Sequence, residues 1–306
     1  MDVLSASLYD NKIAWYENTD GQGNFGSQQI ITTNANGAFS VYTTDIDGDG
    51  DMDVLSASFY DDKIAWYENT DGQGSFGSQQ IITANVDGAR PVYATDIDGD
   101  GDMDVLSASY YDDEIAWYEN TDGQGSFGSQ QIITTNAVGA YWVYATDIDG
   151  DGDMDVLSAS LNDNKIAWYE NADGQGSFGS QQIITTNAVE AISVYATDID
   201  GDGDMDVLSA SFDDNKIAWY ENLTTMTVDQ NTLISFSIYP IPTAGILTVK
   251  LKTTITQIEI YNRSGQLIMS KSNENKIDIS TLSQGLYFCK VKDENGASAI
   301  KKVVKE

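Results

Sequence analysis

The sequence predicts an all-β chain of β-propeller-type four-stranded blades, about five in number and truncated, followed by a small Ig-like β-sandwich. Three observations carry this. A tryptophan recurs every 51 residues, at Trp15, Trp66, Trp117, Trp168 and Trp219, within the near-constant run Lys-Ile-Ala-Trp-Tyr-Glu-Asn, where Glu114 once replaces the lysine. Helical periodicity is absent, and β-branched and aromatic runs are bounded by Gly, Asp and Asn clusters such as Asn69-Thr70-Asp71-Gly72-Gln73-Gly74. Charge is also uneven: residues 1–222 hold 41 acidic against 5 basic side chains, and residues 223–306 hold 7 against 10. That asymmetry marks two domains, 1–222 and 234–306, joined by a linker at 223–233.

Each repeat reads as four strands, in the second unit Val41–Thr44, Val54–Ser58, Lys63–Glu68 and Phe76–Thr83. Four antiparallel strands in a repeat of this length suit a propeller blade, because radial repetition hides the sheet faces between neighbours and leaves only short edges. The first unit lacks its first strand and the last lacks its fourth. The repeats therefore close as a small ring of about five blades or form an open arc of a larger one, and the truncated arc is preferred. Met1 and Asp2 align with Met52 and Asp53 inside the next unit, so the natural N-terminus, with any signal peptide, is expected to have been lost.

Between the first two strands of each complete unit lies Asp-Ile-Asp-Gly-Asp-Gly-Asp-Met-Asp. Its acids are Asp45, Asp47, Asp49, Asp51 and Asp53; Asp96, Asp98, Asp100, Asp102 and Asp104; Asp147, Asp149, Asp151, Asp153 and Asp155; and Asp198, Asp200, Asp202, Asp204 and Asp206. Five carboxylates in nine residues repel one another unless a cation sits among them. Calcium takes six to eight hard oxygen ligands, and loop positions 1, 3 and 5 offer Asp45, Asp47 and Asp49 while Gly50 permits the sharp turn. Position 7 offers the Asp51 carbonyl. The Glu that an EF-hand places at position 12 is Ser56 here, so Asp53 at position 9 is the expected replacement. About four Ca2+ sites follow, with a scaffolding role expected for a site repeated in every blade.

These loops, with the Val-Leu-Ser-Ala-Ser strand and the Gly-Ser-Phe-Gly-Ser stretch, resemble the FG-GAP or VCBS repeat family over residues 1–222. The resemblance implies integrin-like calcium-binding propellers in secreted proteins that bind other proteins or glycans, sometimes joined to catalytic domains.

The repeats differ from one another in two places, before the first strand and in the turn after the second. The first set is Phe39-Ser40, Arg90-Pro91, Tyr141-Trp142 and Ile192-Ser193; the second includes Phe59-Tyr60 and Tyr110-Tyr111. Turns of a meander alternate ends, so the calcium loops share one face and the variable positions the other. Phe39, Tyr60, Arg90, Tyr111, Tyr141 and Trp142 are therefore the candidate ligand face, set against simple drift of exposed loops. The repeated tryptophans are expected to pack between blades.

Beyond about Ile234 short strands are predicted at Thr248–Leu251, Ile255–Tyr261, Leu267–Ser270 and Leu286–Val291, with turns at 262–265 and 293–296. The stretches Ile238–Gly245, Ile258–Asn262, Ser280–Tyr287 and Lys301–Lys305 resemble the C-terminal sorting domain of type IX secretion substrates. That resemblance implies recognition by the secretion machinery and a secreted or outer-membrane-surface location.

Composition narrows the function further. With no histidine, Ser-His-Asp and Cys-His catalysis and His-ligated zinc are excluded. A net charge of −33 argues against nucleic acid, and no apolar run spans a bilayer as a helix. Cys289 is alone, so it forms no intramolecular disulfide. The acids repeat blade by blade, whereas a glycosidase needs one unique pair. The reading is a non-catalytic surface module for adhesion or for binding a protein or glycan; the alternative is an accessory region of a larger secreted polysaccharide-degrading enzyme.

Overall fold

The computed structural model describes residues 1–223, 236–263, 266–294 and 298–306. The chain divides into two compact units, Met1–Met226 and Thr227–Glu306. The predicted linker 223–233 lies, from residue 224, outside the described residues.

The first unit holds five antiparallel sheets, one per repeat, of three, four, four, four and three strands. Blade two consists of Ala38–Thr44, Asp53–Ser58, Lys63–Tyr67 and Gln80–Thr83, and blades three and four repeat it. Among the described residues, blade one lacks the first strand and blade five the fourth. The fourth strand is shorter than the sequence suggests: Phe76 forms only an isolated bridge with Asn69 before Gln80–Thr83 pairs. The glycine-rich turn between them needs its backbone for itself, since Thr70 N–H and Gly77 N–H are spent on Ser75 and Glu68 carbonyls.

The second strand, Asp53–Ser58, is buried along its whole length, as are Asp104–Ser109 and Asp155–Ser160. A strand covered on both faces explains the unbroken small and aliphatic sequence Val-Leu-Ser-Ala-Ser. Successive blades then pack face to face. Leu55, Ile64 and Trp66 of blade two form one core with Val92, Val105 and Tyr118 of blade three, and the next junction repeats it. Gly125 of blade three lies over the Trp66 ring, where a side chain would overlap the indole, and its φ of +79° suits glycine alone.

The stack is open at both ends. Ile13, Ile64, Ile115 and Ile166 are each 0% exposed, whereas Ile217 of blade five is 76% exposed. Trp66 and Trp117 are buried, but Trp219 is half exposed, which corrects the expectation that every repeated tryptophan packs between blades. Val3 of blade one, whose counterpart Val54 is buried, is likewise exposed. The faces that would meet in a closed ring are uncovered, so the five blades stand as an open arc.

The second unit is a β-sandwich. One sheet pairs Ser237–Tyr239, Ile246–Lys250 and Lys276–Asp278; the other runs Leu267–Ser272, Ile255–Tyr261, Gly285–Asp293, Ser298–Lys305. Leu247, Val249, Ile258, Ile260, Cys289 and Val303 fill the space between them. Strands 237–239, 276–278 and 298–305 add to the four expected. Parts of the two predicted turns, 264–265 and 295–296, lie outside the described residues.

Candidate functional site

At one end of the blades the acidic loops fold around their own carboxylates. In blade three, Asp96 accepts the Gly99 and Gly101 N–H groups at 2.8 and 3.1 Å, and Asp100 accepts Asp102 N–H at 2.9 Å. Asp104 is buried and spans the loop: one oxygen accepts Ile97 N–H at 2.9 Å, the other Asn120 N–H at 2.8 Å. This brings Asp96, Asp98 and Asp104 together, their oxygens within 4.8 Å of one another. The same triads form from Asp45, Asp47 and Asp53, from Asp147, Asp149 and Asp155, and from Asp198, Asp200 and Asp206. Asp49, Asp51 and their counterparts lie outside these close groups. The Asp51 carboxylate instead turns onto Gly72, whose hairpin shares this end of the blade.

The electrostatics are those of crowded, desolvated acids. Burial pushes Asp53 up to about 6 and Asp104 and Asp155 up to about 7, against the pull of their two backbone N–H donors and with a push from neighbouring carboxylates. Burial likewise raises Asp47, Asp98 and Asp149. Asp206, in the last blade, moves the other way: its desolvation is outweighed by hydrogen bonds led by Asn222 and Ile199 N–H. Three hard oxygen donors at one point suit a hard divalent cation. The Gly101 turn has a φ of +98°, the left-handed conformation that glycine permits.

Asn120 is a residue the sequence reading passed over. Its Nδ2 donates to the Ile46 carbonyl of the preceding loop at 2.8 Å, and its Oδ1 accepts Gly125 N–H at 3.1 Å. Asn171 and Asn222 make the same inter-blade bond to Ile97 and Ile148. Three of the four acidic loops are thereby tied to the Asn of the next blade. Its recurrence at the end of each Trp-Tyr-Glu-Asn run was the available signal.

The opposite end is built from bulges. The ladder between the first and second strands slips between Ala38 and Ser40, between Ala89 and Val92, and between Ala140 and Trp142. Phe39, Arg90 and Tyr141 are thus released from the ladder, which frees their side chains to turn along the blade end. They meet. The Arg90 guanidinium carbon lies 4.4 Å from the Phe39 ring centroid and 4.3 Å from that of Tyr141, and those rings sit edge to face at 6.0 Å. Phe59 and Tyr110 complete the enclosure at 4.5 and 4.8 Å.

Of the six residues expected on this face, the structure brings Phe39, Arg90 and Tyr141 into one cluster. Tyr60 and Tyr111 sit one residue further out, exposed, against Phe59 and Tyr110. Each covers a glycine, Gly37 or Gly88, that has no space for a side chain. Trp142 turns away, packing on the core of blades four and five and lining a groove of about 280 Å³ along the first strands. Tyr42, Tyr93, Tyr144 and Tyr195 form a row in that groove, ring centroids 4.8 to 5.2 Å apart.

Comparison with known proteins gives two family matches. The FG-GAP-like repeat matches residues 1–56, 45–107, 96–158 and 147–209, and the secretion system C-terminal sorting domain matches residues 237–306. No curated protein matches the chain. Among solved structures, the biofilm matrix protein Bap1 of V. cholerae is 16% identical at a TM-score of 0.46, over 100% of this chain and 55% of its own. The NanB sialidase of Streptococcus pneumoniae is 12% identical at 0.45, over 68% of this chain and 34% of its own. A protein from Lactobacillus plantarum is 11% identical at 0.46, over 99% and 96%. The chain thus spans about half of Bap1 and a third of NanB, and likenesses this distant carry no functional argument.

Proposed function

Since the chain belongs to the FG-GAP-like repeat family and ends in a sorting domain of the type IX secretion route, which makes it a secreted or cell-surface protein, we propose that it is a calcium-stabilised, non-catalytic module that binds a glycan or protein ligand. Calcium stiffens the loop end of each blade, through Asp45, Asp47 and Asp53 and their counterparts, with positions 5 and 7 of each loop as further oxygen sources. The variable end meets the ligand. The sorting domain engages the secretion machinery.

The observation that carries the reading is the contrast between the two ends. One end repeats the same carboxylate triad four times, as a scaffold would. The other gathers unlike residues, Phe39, Arg90 and Tyr141, from three blades into a single place, as a binding site would.

Thermal unfolding in EDTA, in 10 mM magnesium and in 10 mM calcium tests the metal half. A site with Kd of roughly 10⁻³ M gains about 1.4 kcal/mol at 10 mM calcium, so four independent sites gain about 6 kcal/mol. At about 2–4 °C per kcal/mol for a unit of this size, the melting temperature rises by more than about 10 °C. Magnesium, which demands a tighter octahedron and keeps its waters, gives much less. No rise with calcium sinks the scaffold reading. The ligand half is tested by probing glycan and surface-protein arrays with the calcium-loaded chain, and with a Phe39→Ala/Tyr141→Ala variant that should lose the signal.

A further inference from the structure

Five basic side chains lie in residues 1–222. Four of them, Lys12, Lys63, Lys165 and Lys216, each pair with an aspartate two residues earlier, at 2.6 to 2.9 Å. Arg90 is the fifth, and among the described residues it has no ion pair. Its neighbours are the faces of Phe39, Phe59, Tyr110 and Tyr141, and its Nε is buried with no hydrogen-bond partner. The phenols that face it, Tyr141, Tyr110 and Tyr111, are its nearest titratable groups; desolvation lowers its pKa, and no carboxylate is among the main influences on it.

A half-buried guanidinium without a counter-ion is costly, because rings on its faces replace water without neutralising its charge. Four rings surround the guanidinium carbon, Nε is enclosed among them and Tyr141 takes one side-chain hydrogen bond, so on this part-exposed residue the remaining Nη–H groups are those available to a carboxylate. Around it stand the exposed rings of Tyr60 and Tyr111, flat apolar faces of the kind that pack on the C–H face of a sugar ring. The same turns carry Asp61, Asp62, Asp112 and Asp113, so a ligand dense in negative charge is repelled while one isolated carboxylate is not.

We propose that Arg90 and the rings around it form a site for a carboxylated sugar, a uronic acid residue of a glycan, whose carboxylate accepts from the remaining Nη–H groups of the guanidinium while its ring packs on Tyr60 or Tyr111. This rests on the ligand-face reading above and names the ligand class for that face.

The test uses the full chain in constant 1 mM calcium and measures binding of trigalacturonate by calorimetry. Three comparisons accompany it: the fully methyl-esterified trimer, which keeps every ring and loses every charge, an Arg90→Gln variant, and a hexa-aspartate peptide. The acid trimer should bind at least about tenfold more tightly than its ester, and Arg90→Gln should remove that difference while leaving the ester's affinity unchanged, as expected for loss of a charge-assisted hydrogen bond. Equal binding of acid and ester, or an acid preference that survives Arg90→Gln, overturns the carboxylate assignment but leaves the ligand face standing. Binding of hexa-aspartate as tightly as the trimer, and with the same dependence on Arg90, overturns the sugar assignment. Binding of neither trimer, together with silent arrays, overturns the ligand face itself. The acid and ester comparison needs no variant, so it decides the matter even where Arg90→Gln fails to fold.

Discussion

The same isoleucine occupies one strand position in five blades, and its burial predicts two very different costs for one substitution. Truncating Ile115 to Ala removes three carbons from a site that is 0% exposed, worth about 2.4 kcal/mol of transfer at about 0.8 per carbon. The cavity left between blades raises the total toward about 2–5 kcal/mol. Ile64 and Ile166 should cost the same. Ile217 is 76% exposed, so the same arithmetic leaves only about 0.6 kcal/mol and no cavity. Urea unfolding followed by tryptophan fluorescence reads this selectively, because all six tryptophans lie in the repeat unit. In saturating calcium the midpoint should fall sharply for Ile64→Ala, Ile115→Ala and Ile166→Ala and barely move for Ile217→Ala. A cost at Ile217 equal to that at Ile115 would refute the open arc, because only a covered face makes that side chain count.

Two further outcomes follow from the loop end. Asp53, Asp104 and Asp155 hold protons more tightly folded and metal-free than unfolded, where their ordinary value is 3.8. Their contribution to stability in EDTA is therefore complete below about pH 4 and is lost as the pH rises through 6 to 7, while calcium, which needs the carboxylates ionised, stabilises more as the pH rises. Melting temperatures between pH 4.5 and 7.5 should show these opposite trends, and Asp104→Asn should flatten the EDTA profile. Asn120→Ala deletes the 2.8 Å bond to the Ile46 carbonyl and the 3.1 Å bond from Gly125 N–H, both between buried or half-buried groups. A loss of about 2–3 kcal/mol is expected from denaturant titration, against less than about 0.5 kcal/mol for Thr121→Ala on the exposed turn beside it.

The period of the tryptophans was enough to read the blades, because a repeat that cannot bury its own sheet faces must stack. The acidic loops were legible for the same reason, and the triads fall on positions 1, 3 and 9 of each. What escaped depends on neighbours more than on local pattern. Trp219 shares the Lys-Ile-Ala-Trp-Tyr-Glu-Asn run of the buried Trp66, yet among the described residues no following blade lies over it, which no local reading can see. In each aromatic pair of the variable turns the first member, Phe59 or Tyr110, touches Arg90 and the second points outward; the choice is set by the glycine that the second one covers. Ser298–Lys305 is not among the expected strands because Lys301 and Lys302 break its alternation, yet Val303 and Lys305 are buried on one face of it.

The two ends of a blade respond differently to mutation, and the backbone explains why. The aspartates at loop positions 1, 3 and 5 hold N–H groups of their own loop, and Asp104 at position 9 ties the loop to Asn120 of its own blade, which in turn reaches the loop of the preceding blade, so replacing Asp104 strands donors in two places. A residue at a bulge holds no ladder hydrogen bond, so substitution there costs the sheet nothing and duplicated repeats can diverge freely. Free divergence would leave Phe39, Arg90 and Tyr141 unrelated. Instead they come from three blades, 51 residues apart in sequence, and pack as one cluster with a single cation at its centre. Ile192, the fourth bulge residue, is aliphatic, and the turn of that blade carries Phe212 and Asp213 in place of an aromatic pair. Blade four's turn, Leu161-Asn162, carries no aromatic pair either, so the cluster draws bulge residues from blades two to four and turn residues from blades two and three, the pattern expected of one site assembled across blades rather than of four turns drifting alone.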